Sequence, residues 1–152
     1  MGTAMDAEAK KKMFQLDKRL LADTLLLGDF PLSLVLLSRD ANYPWVILVP
    51  RRESITEVYQ LELADQSQLL RESCLTARAM SEVFSPDKLN IGALGNIVSQ
   101  LHLHHIARYT DDAAWPAPVW GTVDAVPYTP DKLSVCIVRL QSALVPHGMR
   151  PG

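Results

Sequence analysis

Cysteine is scarce: Cys74 and Cys136 are the only two in 152 residues, far apart and with no CxxC spacing. Neither a disulfide-stapled scaffold nor a zinc finger is built that way, and a reducing cytoplasm is the expected compartment. Basic residues never run longer than Lys10-Lys11-Lys12, and the net charge is −2, so a glove for a nucleic-acid polymer is not expected. Apolar runs such as 32–37 fall well short of the roughly 20 residues a membrane span needs. No apolar segment follows the N-terminal charges as it would in a signal peptide. Internal repeats and low-complexity tracts are also missing. What remains is the composition of a globular domain, 48% hydrophobic and 21% charged, in a chain long enough for a single core. A small anionic ligand stays compatible with the weak net charge, because local charge can differ from net charge.

Taken in order, residues 1–5 read as a flexible leader, and Asp6 to Lys12 favours a short helix with Asp6 as a candidate N-cap. Residues 16–27 fit either a helical stripe (Leu20, Leu21, Thr24, Leu27) or the start of a strand leading to Gly28-Asp29. Two β-like runs, 32–38 and 45–49, flank Arg39-Asp40-Ala41-Asn42-Tyr43-Pro44, whose Asp, Asn and Pro supply turn chemistry for an antiparallel pair. After a short turn at 56–60, the clearest helix opens near Ala64. Leu69, Leu70, Ser73, Cys74, Ala77, Met80 and Phe84 recur at spacings of three and four, and Pro86 closes it. A strand at 89–94 and a turn at Gly95-Asn96 follow. Closely placed prolines keep 115–120 irregular. Thr129 and Pro130 then cap a last helix with Leu133, Ile137, Leu140 and Leu144 on its buried stripe. The tail 146–152 is expected to be loose. The fold class is α+β, an antiparallel sheet of about five strands with one long and several short helices.

The stretch around which the chain is arranged is Gln100-Leu101-His102-Leu103-His104-His105-Ile106-Ala107-Arg108. Polar and apolar residues alternate from Gln100 to His104, the period of a strand with one face in a core. Gln100, His102, His104, Ile106 and Arg108 are then expected on one side, at roughly 7 Å intervals. Two imidazoles, an amide and a guanidinium on a rigid element can hold an anion and present a nucleophile to it.

An apolar hairpin ends in Leu48-Val49-Pro50-Arg51-Arg52, and the long helix, Asn90-Ile91-Gly92, Gly95-Asn96 and Gln100-x-His102-x-His104-His105-Ile106-x-Arg108 follow in that order. This order closely resembles the histidine-triad (HIT) superfamily of nucleotide-binding hydrolases and transferases, over roughly residues 14–109. The resemblance implies that His102 is the nucleophile attacking the α-phosphorus of a nucleotide, forming a nucleotidyl-imidazole that water resolves. It also implies that His104 holds the phosphate or assists the leaving group, that Asn96 binds phosphate, and that Asp40 holds the ribose. Gln100 stands first in the triad, where most members carry His; Glu53 and His105 are further departures. The implied substrates are adenine-containing dinucleoside polyphosphates or nucleoside phosphoramidates. No tightly bound cofactor is implied, Mg²⁺ can accompany the substrate phosphates, and two subunits pair into a homodimer. Residues 110–145 would pack a crossover and the last helix onto the same domain.

Elementary chemistry points the same way. A free imidazole has a pKa of about 6.5, so an unprotonated nitrogen is available near neutrality without a separate base. Attack on phosphorus depends on positioning and on neutralising equatorial oxygens, to which Gln100, His104 and Asn96 can donate. Activity is expected to fall in acid, because an imidazolium cannot attack. Other readings stand beside these. His105 points to the apolar side as a hydrogen-bonded core histidine. Arg108 closes a salt bridge or touches ligand, and Asn96 binds phosphate or merely tolerates a left-handed backbone. The Trp115–Trp120 segment stacks on a base or packs as a rigid crossover. A zinc site would need Asp111, Asp112 or His147 to fold back on the histidines. A non-catalytic nucleotide sensor can share the fold.

Overall fold

A computed structural model of the chain describes residues 13–152. The helix expected over Asp6–Lys12 lies outside the described residues. Residues 16–27, which fitted two elements, contain both in succession: helix α1 (Lys18–Asp23) runs directly into strand β1 (Thr24–Asp29). The carboxylate of Asp17 accepts the Arg19 backbone N–H and so caps α1. Strands β2 (Ser33–Ser38) and β3 (Trp45–Pro50) form the expected hairpin. The long helix α2 (Leu63–Phe84), strands β4 (Lys88–Gly92) and β5 (Leu103–Arg108), helix α3 (Pro130–Leu144) and a short strand β6 (Arg150–Pro151) complete the chain. All pairings are antiparallel, in the order β4-β5-β3-β2-β1-β6, a six-stranded sheet where about five strands were expected.

The extra strand corrects the loose tail. Arg150 and Pro151 pair with Asp29 and Gly28, Gly152 N–H donates to the Leu27 carbonyl, and Met149 is buried. A Cβ at Gly28 would lie 2.1 Å from the Arg150 carbonyl oxygen, so this close approach requires glycine there. The strand was not legible because Arg-Pro has no apolar alternation.

Both faces of β2 and β3 are covered, which is why these strands read as continuous apolar runs. On one face Val35, Leu37, Val46, Leu48 and Ala107 meet Leu69, Ala79 and Met80 of α2 and Cys136, Leu140 and Leu144 of α3. On the other, Leu36, Ile47 and Val49 pack with Leu20 and Val98, while Tyr43, Ile106, Ala114 and Val119 form a separate cluster with Trp45 and Trp120. Leu140 is fully enclosed; Leu140→Ala is expected to cost about 2–5 kcal/mol in chemical unfolding.

The buried face of α2 is rotated from the expected stripe. Leu69, Ser73 and Met80 are inside, but Leu70 and Cys74 are exposed and Glu72 and Thr76 take the core positions. The reason is polar. The Glu72 carboxylate accepts the backbone N–H groups of Leu32 and Ser33 at 2.9 Å each and the Gln68 amide at 2.7 Å, tying the helix to the start of β2. A hydrophobicity pattern cannot reveal a buried carboxylate.

Candidate active site

Strand β5 begins at Leu103, three residues after the start of the expected alternation at Gln100. Its register places His104 opposite Ile47 of β3 and Gly92 of β4, with His105 opposite Val46 and Ile91. His104 therefore lies on the face of Ile47, and His105 on the face covered by α2. His102, just before the strand, meets His104 edge to face with ring centres 4.8 Å apart. Both rings are 7% exposed and line a cavity of about 860 Å³. Its walls include Leu20 and Asp23 of α1, Ser38 and Asp40 at the end of β2, Asn96, and Trp120.

Each ring is anchored through Nδ1. His102 Nδ1 is 2.7 Å from the carbonyl oxygen of Gln100. A carbonyl can only accept, so Nδ1 carries a proton, and in the neutral ring Nε2 holds the lone pair. His104 Nδ1 accepts the indole N–H of Trp45 at 2.9 Å. Burial, with His102 and His105 nearby, pushes His104 down to about 3. His105 is fully enclosed, its Nε2 2.7 Å from the Ser73 hydroxyl, and burial pushes it down to about 4. It is a core histidine, as expected, but not a fully satisfied one: Nε2 meets a helix side chain, and among the described residues Nδ1 has no hydrogen-bond partner.

These two depressed imidazoles give stability a pH dependence. Folded, they stay uncharged well below the range where an unfolded imidazole, at about 6.5, takes up its proton. The unfolded state thus binds more protons between about pH 6.5 and 4, and stability is lost as pH falls through that range, by up to about 1.4 kcal/mol per pH unit for each ring. Urea midpoints measured at pH 7, 6 and 5 should fall accordingly, and His105→Gln should remove about half the slope.

The expected site residues are only partly brought together. His102, His104, Asn96 and Asp40 all line the cavity. Asn96 is exposed there, and the left-handed backbone of this turn belongs to Gly95, with φ 74°, not to Asn96. Asp40 Oδ1 accepts from Asn42 N and Val126 N, stapling the β2–β3 turn to the segment before α3. Gln100 departs from the expected common face. Because the strand starts later, its amide turns away, donating to the Gln15 carbonyl and accepting from Asp17 N–H. Gln100 serves the site through its own carbonyl instead.

Arg108 is 1% exposed and makes the salt bridge that sequence left open, with Asp112 at 2.7 Å. It also donates to Asn90 and to the Ala117 carbonyl. Asp112 further accepts from the backbone of Tyr109, Ala114 and Trp115, and the Arg108 hydrogen bonds hold its carboxyl well below the usual carboxylate range. This hub fixes the irregular segment so that Trp120 stands over His104 at 5.2 Å. Trp115 lies instead beside Arg108. The two tryptophans therefore divide the expected alternatives, one forming a cavity wall and the other packing. Trp45 was missed as a site residue. Reading the alternation of β3 from Ile47 back to Trp45 would have placed it on the histidine face. Among the described residues, no group of three or more His, Cys, Asp and Glu side chains could hold a metal ion, and no helix is long and apolar enough to cross a membrane.

A six-stranded antiparallel sheet with paired histidines on one face and a long helix on the other defines a histidine-triad domain. The HIT domain family model matches residues 19–111, and the chain belongs to that family. It is similar to a histidine triad protein from Marinobacter aquaeolei VT8, at 51% identity over 88% of this chain and 98% of that one, with a TM-score of 0.86. A histidine triad protein from Bradyrhizobium japonicum is 46% identical over 86% and 98% of the two chains, with a TM-score of 0.85. One from Sinorhizobium meliloti 1021 is 42% identical over 86% and 97%, with a TM-score of 0.84. The comparison with curated proteins returns no match. The HIT-family fold supports nucleotide binding and hydrolase or transferase activity in general.

Proposed function

We propose that the protein is a nucleotide phosphohydrolase or nucleotidyl transferase that cleaves at the α-phosphate of a dinucleoside polyphosphate or a nucleoside phosphoramidate. The observation that carries this reading is the anchored ring of His102. With Nδ1 donating to the Gln100 carbonyl, its unprotonated Nε2 is free for attack within the cavity wall. Nε2 bonds to the α-phosphorus as the bond to the leaving group breaks; a phosphate leaving group departs as its anion, and an amine takes a proton from solvent. Water then attacks the same phosphorus, releasing a proton to solvent as the N–P bond breaks and the neutral imidazole is restored. His104 and Asn96 face the oxygens of the transferring group, where neutral donors offset developing charge. Asp40 borders the cavity where a ribose would lie, with Oδ1 already committed to two backbone N–H groups.

No tightly bound cofactor enters this scheme, and Mg²⁺ would arrive with a polyphosphate substrate. The test is a panel of adenosine phosphoramidate, dinucleoside polyphosphates and an ADP-ribosyl compound, run on wild type and His102→Ala. Binding of these compounds with no turnover by the wild type would favour a sensor instead.

A homodimer belongs to the same reading. It is supported by β4 at a free edge of the sheet and by Leu63 and Leu70, 79% and 66% exposed on α2. Sedimentation should report a dimer, and Leu70→Glu should shift it toward monomer. A wild-type monomer at high concentration would exclude the pairing.

A further inference from the structure

We propose that Trp45 is a positioning residue that locks His104 in the neutral tautomer with its proton on Nε2, so that this ring meets the phosphoryl group as a hydrogen-bond donor and not as a cation. The identity of the group receiving that bond rests on the transfer reading above; the lock itself does not.

The argument begins with what an indole can do. Its N–H donates and has no lone pair with which to accept. A hydroxyl or water in the same place could turn and serve either tautomer, but an indole cannot. With Trp45 Nε1 at 2.9 Å, His104 Nδ1 has to supply the lone pair. Both the Nδ1–H tautomer and the imidazolium would set two N–H groups against each other. Rotation of the rings offers no escape. Trp45 stands at the start of β3, edge-on to Tyr43 at 6.4 Å and to Trp120 at 6.2 Å. His104 is enclosed between Trp45 at 5.5 Å and Trp120 at 5.2 Å.

The surroundings offer a cation nothing. His104 faces His102 from the residues before β5, Trp45 and Ile47 from β3, Gly92 from β4 and Trp120 from the following segment. His105 projects from the opposite face. The charged residues of the cavity are Asp23, Arg39 and Asp40, and among the described residues none hydrogen-bonds His104. The two anchors thus impose opposite tautomers on adjacent rings: a carbonyl leaves His102 with a bare Nε2, and an indole leaves His104 with a protonated one. One nucleophile and one neutral donor result, with no shared proton to misplace.

The test is ¹⁵N NMR of the histidine rings in ligand-free wild type and Trp45→Phe, which keeps an aromatic ring and removes the N–H. Wild-type His104 should show protonated Nε2 and bare Nδ1 from pH 8 to 5. In the variant the Nδ1–H form should appear, and the protonation midpoint should rise by about one pH unit while burial still holds it below the ordinary value. In parallel, the variant should lose about tenfold in kcat on adenosine phosphoramidate with KM changed less than about twofold. A wild-type His104 with its proton on Nδ1 would overturn the lock even if Trp45→Phe failed to fold. So would an identical tautomer and midpoint in both proteins. Because the NMR needs no substrate, absence of turnover in either protein would count against the transfer reading and leave the lock standing.

Discussion

His102→Ala should abolish turnover of whichever α-phosphate substrate the wild type accepts, lowering kcat by about 10³-fold or more. The size follows from the role. A residue that bonds to phosphorus has no substitute in the cavity. His104 Nδ1 is occupied by Trp45, and His105 is enclosed on the other face of the sheet. Quenched wild-type protein should carry a base-stable, acid-labile nucleotidyl group on the peptide containing His102, detectable by mass spectrometry. The adduct should be absent from the variant. The substitution removes a ring that is 7% exposed but lies outside the main apolar clusters, so circular dichroism should show a folded protein. Full activity in a folded His102→Ala protein would end the proposed mechanism.

Asp112→Ala is expected to have the largest effect on stability. Arg108 would keep its charge at 1% exposure with its carboxylate partner gone, and breaking a buried pair from one side costs about 3–5 kcal/mol. Three backbone N–H groups, of Tyr109, Ala114 and Trp115, would lose their acceptor as well. Chemical unfolding should report the loss. Because the same hub sets the position of Trp120, KM should rise in any variant that still folds, whereas Asp112→Asn should be milder on both counts. A loss below about 1 kcal/mol in Asp112→Ala would show that the guanidinium is satisfied by Asn90 and Ala117 alone.

The elements that sequence made legible are those whose signal is local. The β2–β3 hairpin, α2, α3 with its Thr129 cap, and the two histidines on the cavity side all declare themselves through periodicity or turn chemistry. What stayed hidden depends on partners distant in the chain. Gln100 looked like a ligand because nothing nearby announces that its amide is taken by residues 15 and 17. Glu72 has no place in the apolar stripe read for α2, and its three donors lie on another turn of the helix and on another element. Trp45 looked like a strand residue and nothing more, since its hydrogen bond spans 59 positions.

The segment between β5 and α3 is held near one end through Arg108 and Ala117 and near the other through Asn42, whose amide donates to the Asp124 carbonyl. Gly121, Thr122 and Val123 lie between these moorings and are exposed. They form a short span next to the Trp120 wall of the cavity, tied down among the described residues only by the bonds of Thr122 to the Pro118 and Val119 carbonyls. Gly121, with φ 73°, is fixed by its left-handed backbone, but libraries randomised over Thr122 and Val123 should retune which leaving groups are admitted at little risk to folding, a freedom the neighbouring tryptophan would not tolerate.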